Sequence, residues 1–108
     1  MSLYLPQEII KQDNYKQSII SFFESYLNYL RNEVEFINKL IKNNECEIIN
    51  ELNLEKILDE IENTKATIKE QKEIAKNENI LKILDKIETY LLKYELALSM
   101  LWSCNENN

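Results

Sequence analysis

Residues 80–101 read ILKILDKIETYLLKYELALSML, and the apolar side chains in this stretch recur at alternating steps of four and three. This spacing places them on one stripe of an α-helix and is typical of a heptad seam. Because the seam lasts only about three heptads, we predict a helix of a compact bundle rather than an extended coiled coil. The seam residues are Ile80, Leu84, Ile87, Leu91, Tyr94, Leu98 and Leu101.

A second long rhythm of apolar residues begins after Tyr15. Its spacings of three and four predict a helix of about seven turns. Further apolar residues widen the stripe on both sides, so this helix is expected to contact two neighbours. The stripe residues are Ile19, Phe23, Tyr26, Leu30, Val34, Ile37 and Ile41.

Asparagines mark the breaks between the helices. Asn43 and Asn44 can form the turn that ends the first helix, because asparagine tolerates the left-handed conformation that usually needs glycine. A short helix over residues 45–52 is expected next, and Asn53 is placed to cap a helix over residues 54–77. The short connections predict that consecutive helices are antiparallel. Whether residues 6–12 join the first helix stays open.

The composition agrees with this pattern of helices. The chain has 108 residues, no glycine and one proline, so the residues that tight β-turns need are almost absent. Hydrophobic residues make up 44%, which is enough to build a core. We therefore predict an all-α fold in a single domain over residues 1–108, an antiparallel bundle of three long helices plus a short extra helix.

The side chain that catalysis and metal binding use most often is missing from this sequence. There is no histidine, which is the commonest general base and the commonest metal ligand. Two cysteines without histidine do not complete a tetrahedral zinc site. We expect no catalytic site, no cofactor and no metal, and we predict that the protein is not an enzyme.

The two cysteines, Cys46 and Cys104, are expected to be free thiols in a cytoplasmic protein. The first ten residues, MSLYLPQEII, do not resemble a secretory signal, and no apolar run approaches the ~20 residues that span a membrane. An up-down-up bundle would bring both cysteines to the same end, so a disulfide is geometrically possible. Whether they pair stays open.

Acidic residues are concentrated in one segment. The whole chain has a net charge of −6. Residues 45–62 contain seven acidic residues and only one lysine. Such a segment can meet a basic partner or imitate the phosphate spacing of nucleic acid. Acids near helix starts also complement the helix dipole on a solvated face. The candidate partner-binding acids are Glu51, Glu55, Asp59 and Glu62.

Four lysines downstream of the acidic segment form a column on the same predicted helix, at steps of four, three and four. Like charges at this spacing repel, which can indicate an anionic ligand such as nucleic acid. Cations near a helix C-terminus are also favoured by the dipole, and their stems can cover the core edge. The column consists of Lys65, Lys69, Lys72 and Lys76.

The last helix carries a second apolar line, Leu92, Leu96 and Met100, roughly opposite its heptad seam. Either this helix is central in its own bundle, or the line is an exposed patch that another chain covers. Trp102 lies near the same end and would suit the anchor of an interface.

Glu33 interrupts the apolar face of the first helix, so we predict a buried carboxylate that needs a partner. Lys65, or a tyrosine hydroxyl such as that of Tyr26 or Tyr90, is the expected partner. The neighbouring aromatic residues are expected in the core rather than in a ligand site; they are Phe22, Phe23, Tyr26 and Tyr29.

Taken together, these features favour a non-catalytic protein-interaction module: an adaptor, an inhibitor or a small assembly subunit. It would bind a protein partner or a second copy of itself through the acidic segment and the second apolar line of the last helix. The alternative is a nucleic-acid-associated helical domain that binds through the lysine column. The high Asn, Lys and Ile content is associated with AT-rich genes such as those of phages and mobile elements.

Overall fold

A computed structural model describes residues 16–107. Three long α-helices follow one another: α1 (Lys16–Lys42), α2 (Leu54–Ile74) and α3 (Glu78–Glu106). A 3₁₀ helix (Cys46–Glu51) lies between α1 and α2. This part of the chain contains no strand, so the prediction of an all-α fold with one short extra helix is confirmed. Residues 6–12 lie outside the described residues, so the question of whether they join the first helix stays open.

Asparagines set the helix boundaries. Asn44 adopts a left-handed conformation with φ 58° after α1. The Asn53 side chain accepts a hydrogen bond of 3.2 Å from the Lys56 amide and caps α2. Asn77 likewise caps α3, where we had expected the end of α2. Because Ala75 already has an extended backbone, α2 ends at Ile74, a few residues earlier than predicted.

Consecutive helices are antiparallel, as predicted, and this makes α1 and α3 parallel to each other. Along α2, Lys65 meets Glu95 whereas the later Lys72 meets the earlier Glu88, so α2 and α3 run in opposite directions. Arg31 of α1 contacts Tyr90, and Asn44, which follows α1, contacts Cys104. Because the residue numbers increase together on both sides, α1 and α3 run in the same direction. The bundle is elongated, with extents of 52 × 21 × 17 Å.

The core forms mainly between α1 and α3, and α2 closes one side of it. Every residue of the predicted α3 seam is buried, as is the predicted α1 stripe apart from the partly buried Ile41. The heptad reading of residues 80–101 therefore identified the buried face correctly. The side chains with the least exposure include Phe23, Leu84, Ile87 and Leu101.

The expectation of free thiols is wrong, because Cys46 and Cys104 form a disulfide. Their Cα atoms lie 5.9 Å apart, although 58 positions separate them in the sequence. The parallel arrangement of α1 and α3 explains the pairing: the 3₁₀ helix that follows α1 and the last turn of α3 meet at one end of the bundle. Cys46 is fully buried there.

No helix in residues 16–107 combines the length and the apolar character that crossing a membrane requires.

Candidate functional site

The second apolar line of α3 lies on the outside of the bundle. Leu92, Leu96 and Met100 are 52%, 61% and 48% exposed, and we call these three residues the outer ridge. The sequence allowed either a central helix or an exposed apolar patch, and in the described part of the chain this line is an exposed patch. Because the seam of the same helix is buried, α3 has one apolar face in the core and one apolar face that meets solvent.

A groove between α1 and α3 runs beside the outer ridge. Leu96 and Met100 line it together with Val34 and Ala97, and its volume is about 420 Å³. Cations lie at its edge. The Arg31 guanidinium and the Lys93 ammonium sit 5.4 Å and 4.5 Å from the centre of the Tyr90 ring. Such contacts are worth about 0.5–1 kcal/mol each at exposed sites. The groove thus offers an apolar floor with charged residues of both signs at its rim, Arg31, Lys93 and Glu35.

Trp102 faces a different side of α3. Its side chain is 50% exposed and borders a small apolar depression with Leu54 and Leu58 of α2. Sequence reasoning grouped Trp102 with the outer ridge because all four residues are near one end of the chain. The structure places it toward α2, whereas Leu96 and Met100 border the groove beside α1.

The four candidate acids are all exposed, in the 3₁₀ helix and the first half of α2. Glu62 accepts a hydrogen bond of 3.0 Å from the Lys65 ammonium, and this bond lowers the pKa of Glu62. Among the described residues no ion pair involves the other three, which are Glu51, Glu55 and Asp59. They form a solvated acidic surface on the 3₁₀ helix and the first half of α2.

The lysine column is divided between two environments. Lys65 binds the carboxylates of Glu62 and Glu95 at 3.0 and 2.8 Å, and Lys72 binds those of Asp85 and Glu88. These contacts raise the pKa of Lys65, chiefly through its hydrogen bond to Glu95, and the pKa of Lys72, chiefly through its hydrogen bond to Asp85. The other two column residues, Lys69 and Lys76, are exposed. Half of the column therefore joins α2 to α3.

A cleft that sequence reasoning missed lies where all three long helices meet. Its volume is about 250 Å³, and we call it the tyrosine cleft after the three tyrosines that line it, Tyr26, Tyr29 and Tyr94. Two carboxylates, Glu33 and Glu60, and the Thr64 hydroxyl complete its polar lining. The signal in the sequence was a helical face with tyrosines and Glu33 together, which we had assigned to the core.

The partner of Glu33 is a tyrosine hydroxyl, which is one of the predicted kinds of partner, but it belongs to Tyr94 and not to the two tyrosines named from the sequence. Its carboxylate interacts with the Tyr94 hydroxyl, not with Lys65, Tyr26 or Tyr90. Lys65 is occupied by Glu62 and Glu95, and Tyr26 lies against Thr64. Glu33 is also only partly buried, because its side chain opens into the tyrosine cleft. A tyrosine of α3 reaches it because α1 and α3 form the main interface.

Burial and nearby carboxylates make these tyrosines weaker acids than an ordinary exposed tyrosine. Desolvation is the largest cause of the raised pKa of Tyr26, Tyr29 and Tyr94. The negative charge of Glu33 adds to the effect at Tyr29 and Tyr94, and that of Glu60 at Tyr26 and Tyr29. A phenolate is therefore disfavoured in the tyrosine cleft.

Alkaline pH is expected to destabilise the protein through these tyrosines. Above the ordinary tyrosine pKa of about 10, the unfolded chain releases phenol protons that the folded state retains. The free energy of unfolding is therefore unaffected by these tyrosines below this pH and falls above it. The slope is at most about 1.4 kcal/mol per pH unit for each such tyrosine. Tyrosinate absorbance of folded and urea-unfolded protein measures this. Coincident tyrosinate titrations of the folded and the urea-unfolded protein would contradict it.

Residues 16–107 contain no cluster of three or more His, Cys, Asp or Glu side chains arranged to hold a metal ion. No protein-family model matches the chain, and comparisons with curated proteins and with solved structures find no significant match. The proposals below therefore depend on the geometry of the chain alone.

Proposed function

We propose that this protein is a non-catalytic interaction module whose outer ridge docks on a protein partner or on a second copy of the chain. The observation that carries the proposal is the contrast along α3, where Leu91 is 1% exposed and the adjacent Leu92 is 52% exposed. Three large apolar side chains in successive turns meet water while the core beneath them is complete. A row of this kind is typical of an interaction surface.

The surroundings of the outer ridge support a helical partner face. The groove beside it is apolar at its floor and charged at its rim, which is the usual arrangement of an interface core and its border. An apolar helix laid along this groove would cover Leu96 and Met100 together. The acidic surface on the 3₁₀ helix and α2, together with Trp102, offers a second contact area for a basic partner.

The proposal is tested with Leu96→Glu and with Leu98→Glu as its matched control. Leu96 is 61% exposed and Leu98 is 1% exposed. The exposed substitution is expected to change stability by less than about 0.5 kcal/mol and to weaken association. The buried one is expected to cost several kcal/mol, because it places a carboxylate in the core. Analytical ultracentrifugation reports association, and thermal denaturation reports stability.

A monomeric wild type, together with a Leu96→Glu variant that melts as low as Leu98→Glu, would contradict the proposal. A monomeric wild type with an unchanged melting temperature for Leu96→Glu would direct the search to a different protein as partner. That partner is then captured from the native host with wild-type bait, and the Leu96→Glu bait should fail to capture it.

The nucleic-acid alternative stays a prediction that no observation here favours. Lys65 and Lys72 make ion pairs with α3, which leaves Lys69 and Lys76 as the exposed cations of the column. The cytoplasmic location is also untested, and the disulfide lends it no support, because structural disulfides are typical of oxidising compartments.

A further inference from the structure

We propose that the tyrosine cleft binds an organic cation, the ammonium or guanidinium group of a basic peptide segment or of a free polyamine. The inference goes beyond the interaction module proposed above, because the cleft and the outer ridge lie on different faces of α3. Its evidence is the cleft itself, its aromatic lining and its unbalanced negative charge.

The size of the cleft fits a head group rather than a larger molecule. Its volume of about 250 Å³ lies below the usual range for drug-sized ligands. Each of the three helices contributes to the walls. Tyr29 and Glu33 come from α1, Thr64 from α2 and Tyr94 from α3. A group that entered would therefore contact all the long elements of the bundle at once.

The charges in the tyrosine cleft select a cation. Both Glu33 and Glu60 line it, and no ion pair among residues 18–107 neutralises either carboxylate. The nearest engaged lysine on α2, Lys65, is held by Glu62 and Glu95 outside the cleft lining. A partly enclosed site with two carboxylates concentrates negative potential, which attracts cations and repels anions.

The rings make the cation organic. Tyr26 and Tyr29 lie side by side, with ring centres 5.9 Å apart and planes inclined by 35°. Tyrosine faces attract ammonium and guanidinium groups through their quadrupole, and sets of aromatic rings recognise alkylated ammonium groups. A hard metal ion would instead need several oxygen ligands around it. Aromatic walls with two carboxylates match a cation that carries apolar carbon.

The test is a nuclear magnetic resonance titration of the intact, disulfide-bonded protein. The probes are N-acetyl-arginine amide, N-acetyl-lysine amide and spermidine, and N-acetyl-citrulline amide serves as the neutral analogue of arginine. We expect the cations, but not the citrulline compound, to shift the backbone amide signals of Tyr29, Glu33, Thr64 and Tyr94. Because this comparison uses wild-type protein, it does not depend on any variant folding.

Two double variants with equal loss of charge locate the binding. Glu33→Gln with Glu60→Gln removes the carboxylates of the cleft, and we expect binding to weaken by at least about tenfold. Glu55→Gln with Asp59→Asn removes two exposed carboxylates of α2 that do not line the cleft, and we expect less than about a twofold change. Circular dichroism confirms that both variants are folded.

The titration also distinguishes the two sources of the cation. Binding of the amino-acid amides supports a peptide side chain as the ligand, whereas binding of spermidine alone supports a free polyamine. The proposal is overturned if no cation shifts the cleft signals, if the citrulline compound shifts them equally, or if both double variants lose the same affinity.

Discussion

Reduction of the Cys46–Cys104 disulfide is expected to lower the free energy of unfolding by about 4 kcal/mol. The bond closes a loop across a sequence separation of 58 residues, which contains all of α2 and most of α3. Reduction frees the unfolded chain from this constraint and so increases its conformational entropy. For a chain of this size the change corresponds to a fall in melting temperature of roughly 15–30 °C.

Thermal denaturation with and without a reductant measures this effect. The double variant Cys46→Ala with Cys104→Ala is the control, because a reductant should not change its melting temperature. Since Cys46 is fully buried and Cys104 is partly exposed, Cys104→Ser alone separates loss of the bond from loss of core packing. Equal melting of the oxidised and reduced wild type would show that the disulfide does not stabilise the bundle.

Substitution of two adjacent leucines is the second test with a large expected effect. Leu91→Ala is expected to cost about 2–5 kcal/mol, because Leu91 belongs to the buried seam and its removal leaves a cavity. Leu92→Ala is expected to cost less than about 1 kcal/mol, because half of its side chain already meets water. Both changes have the same chemistry and the same helix propensity, so the difference reports burial alone.

Urea denaturation of the two variants gives the comparison. An unchanged dependence of the unfolding free energy on urea concentration would confirm that neither variant alters the native state broadly. If both variants lose the same stability, Leu91 and Leu92 are equally buried. The buried face of α3 would then differ from the one described, and the outer ridge would not be exposed. The result therefore bears on the proposed function as well as on the fold.

The helices were predictable because their information is local. The seam of α3 repeats without a fault from Ile80 to Leu101, and periodicity identifies the buried face of a helix directly. Asn44 and Asn53 ended and began helices as expected, since their side chains and backbone act within a few residues. The end of α2 was misplaced because Asn77 suits either a stop or a start, and the sequence alone does not distinguish them.

The contacts between helices were harder to predict from the sequence. Glu33 was expected to meet a lysine or a tyrosine hydroxyl, but the sequence did not indicate that the tyrosine is Tyr94, which is 61 positions away. Several tyrosines and one lysine had suitable chemistry. Which of them reaches Glu33 depends on the parallel packing of α1 and α3.

The amino-acid order alone determines that this chain forms three amphipathic helices with breaks at asparagines, because helix formation and capping depend on neighbours within one or two turns. Only the packing of those helices brings Cys46 to Cys104 and encloses the cleft of Tyr26, Tyr29 and Tyr94. Packing also leaves the outer ridge uncovered. Each of these features joins residues that are distant in sequence, and the direction and rotation of whole helices decide which distant residues meet.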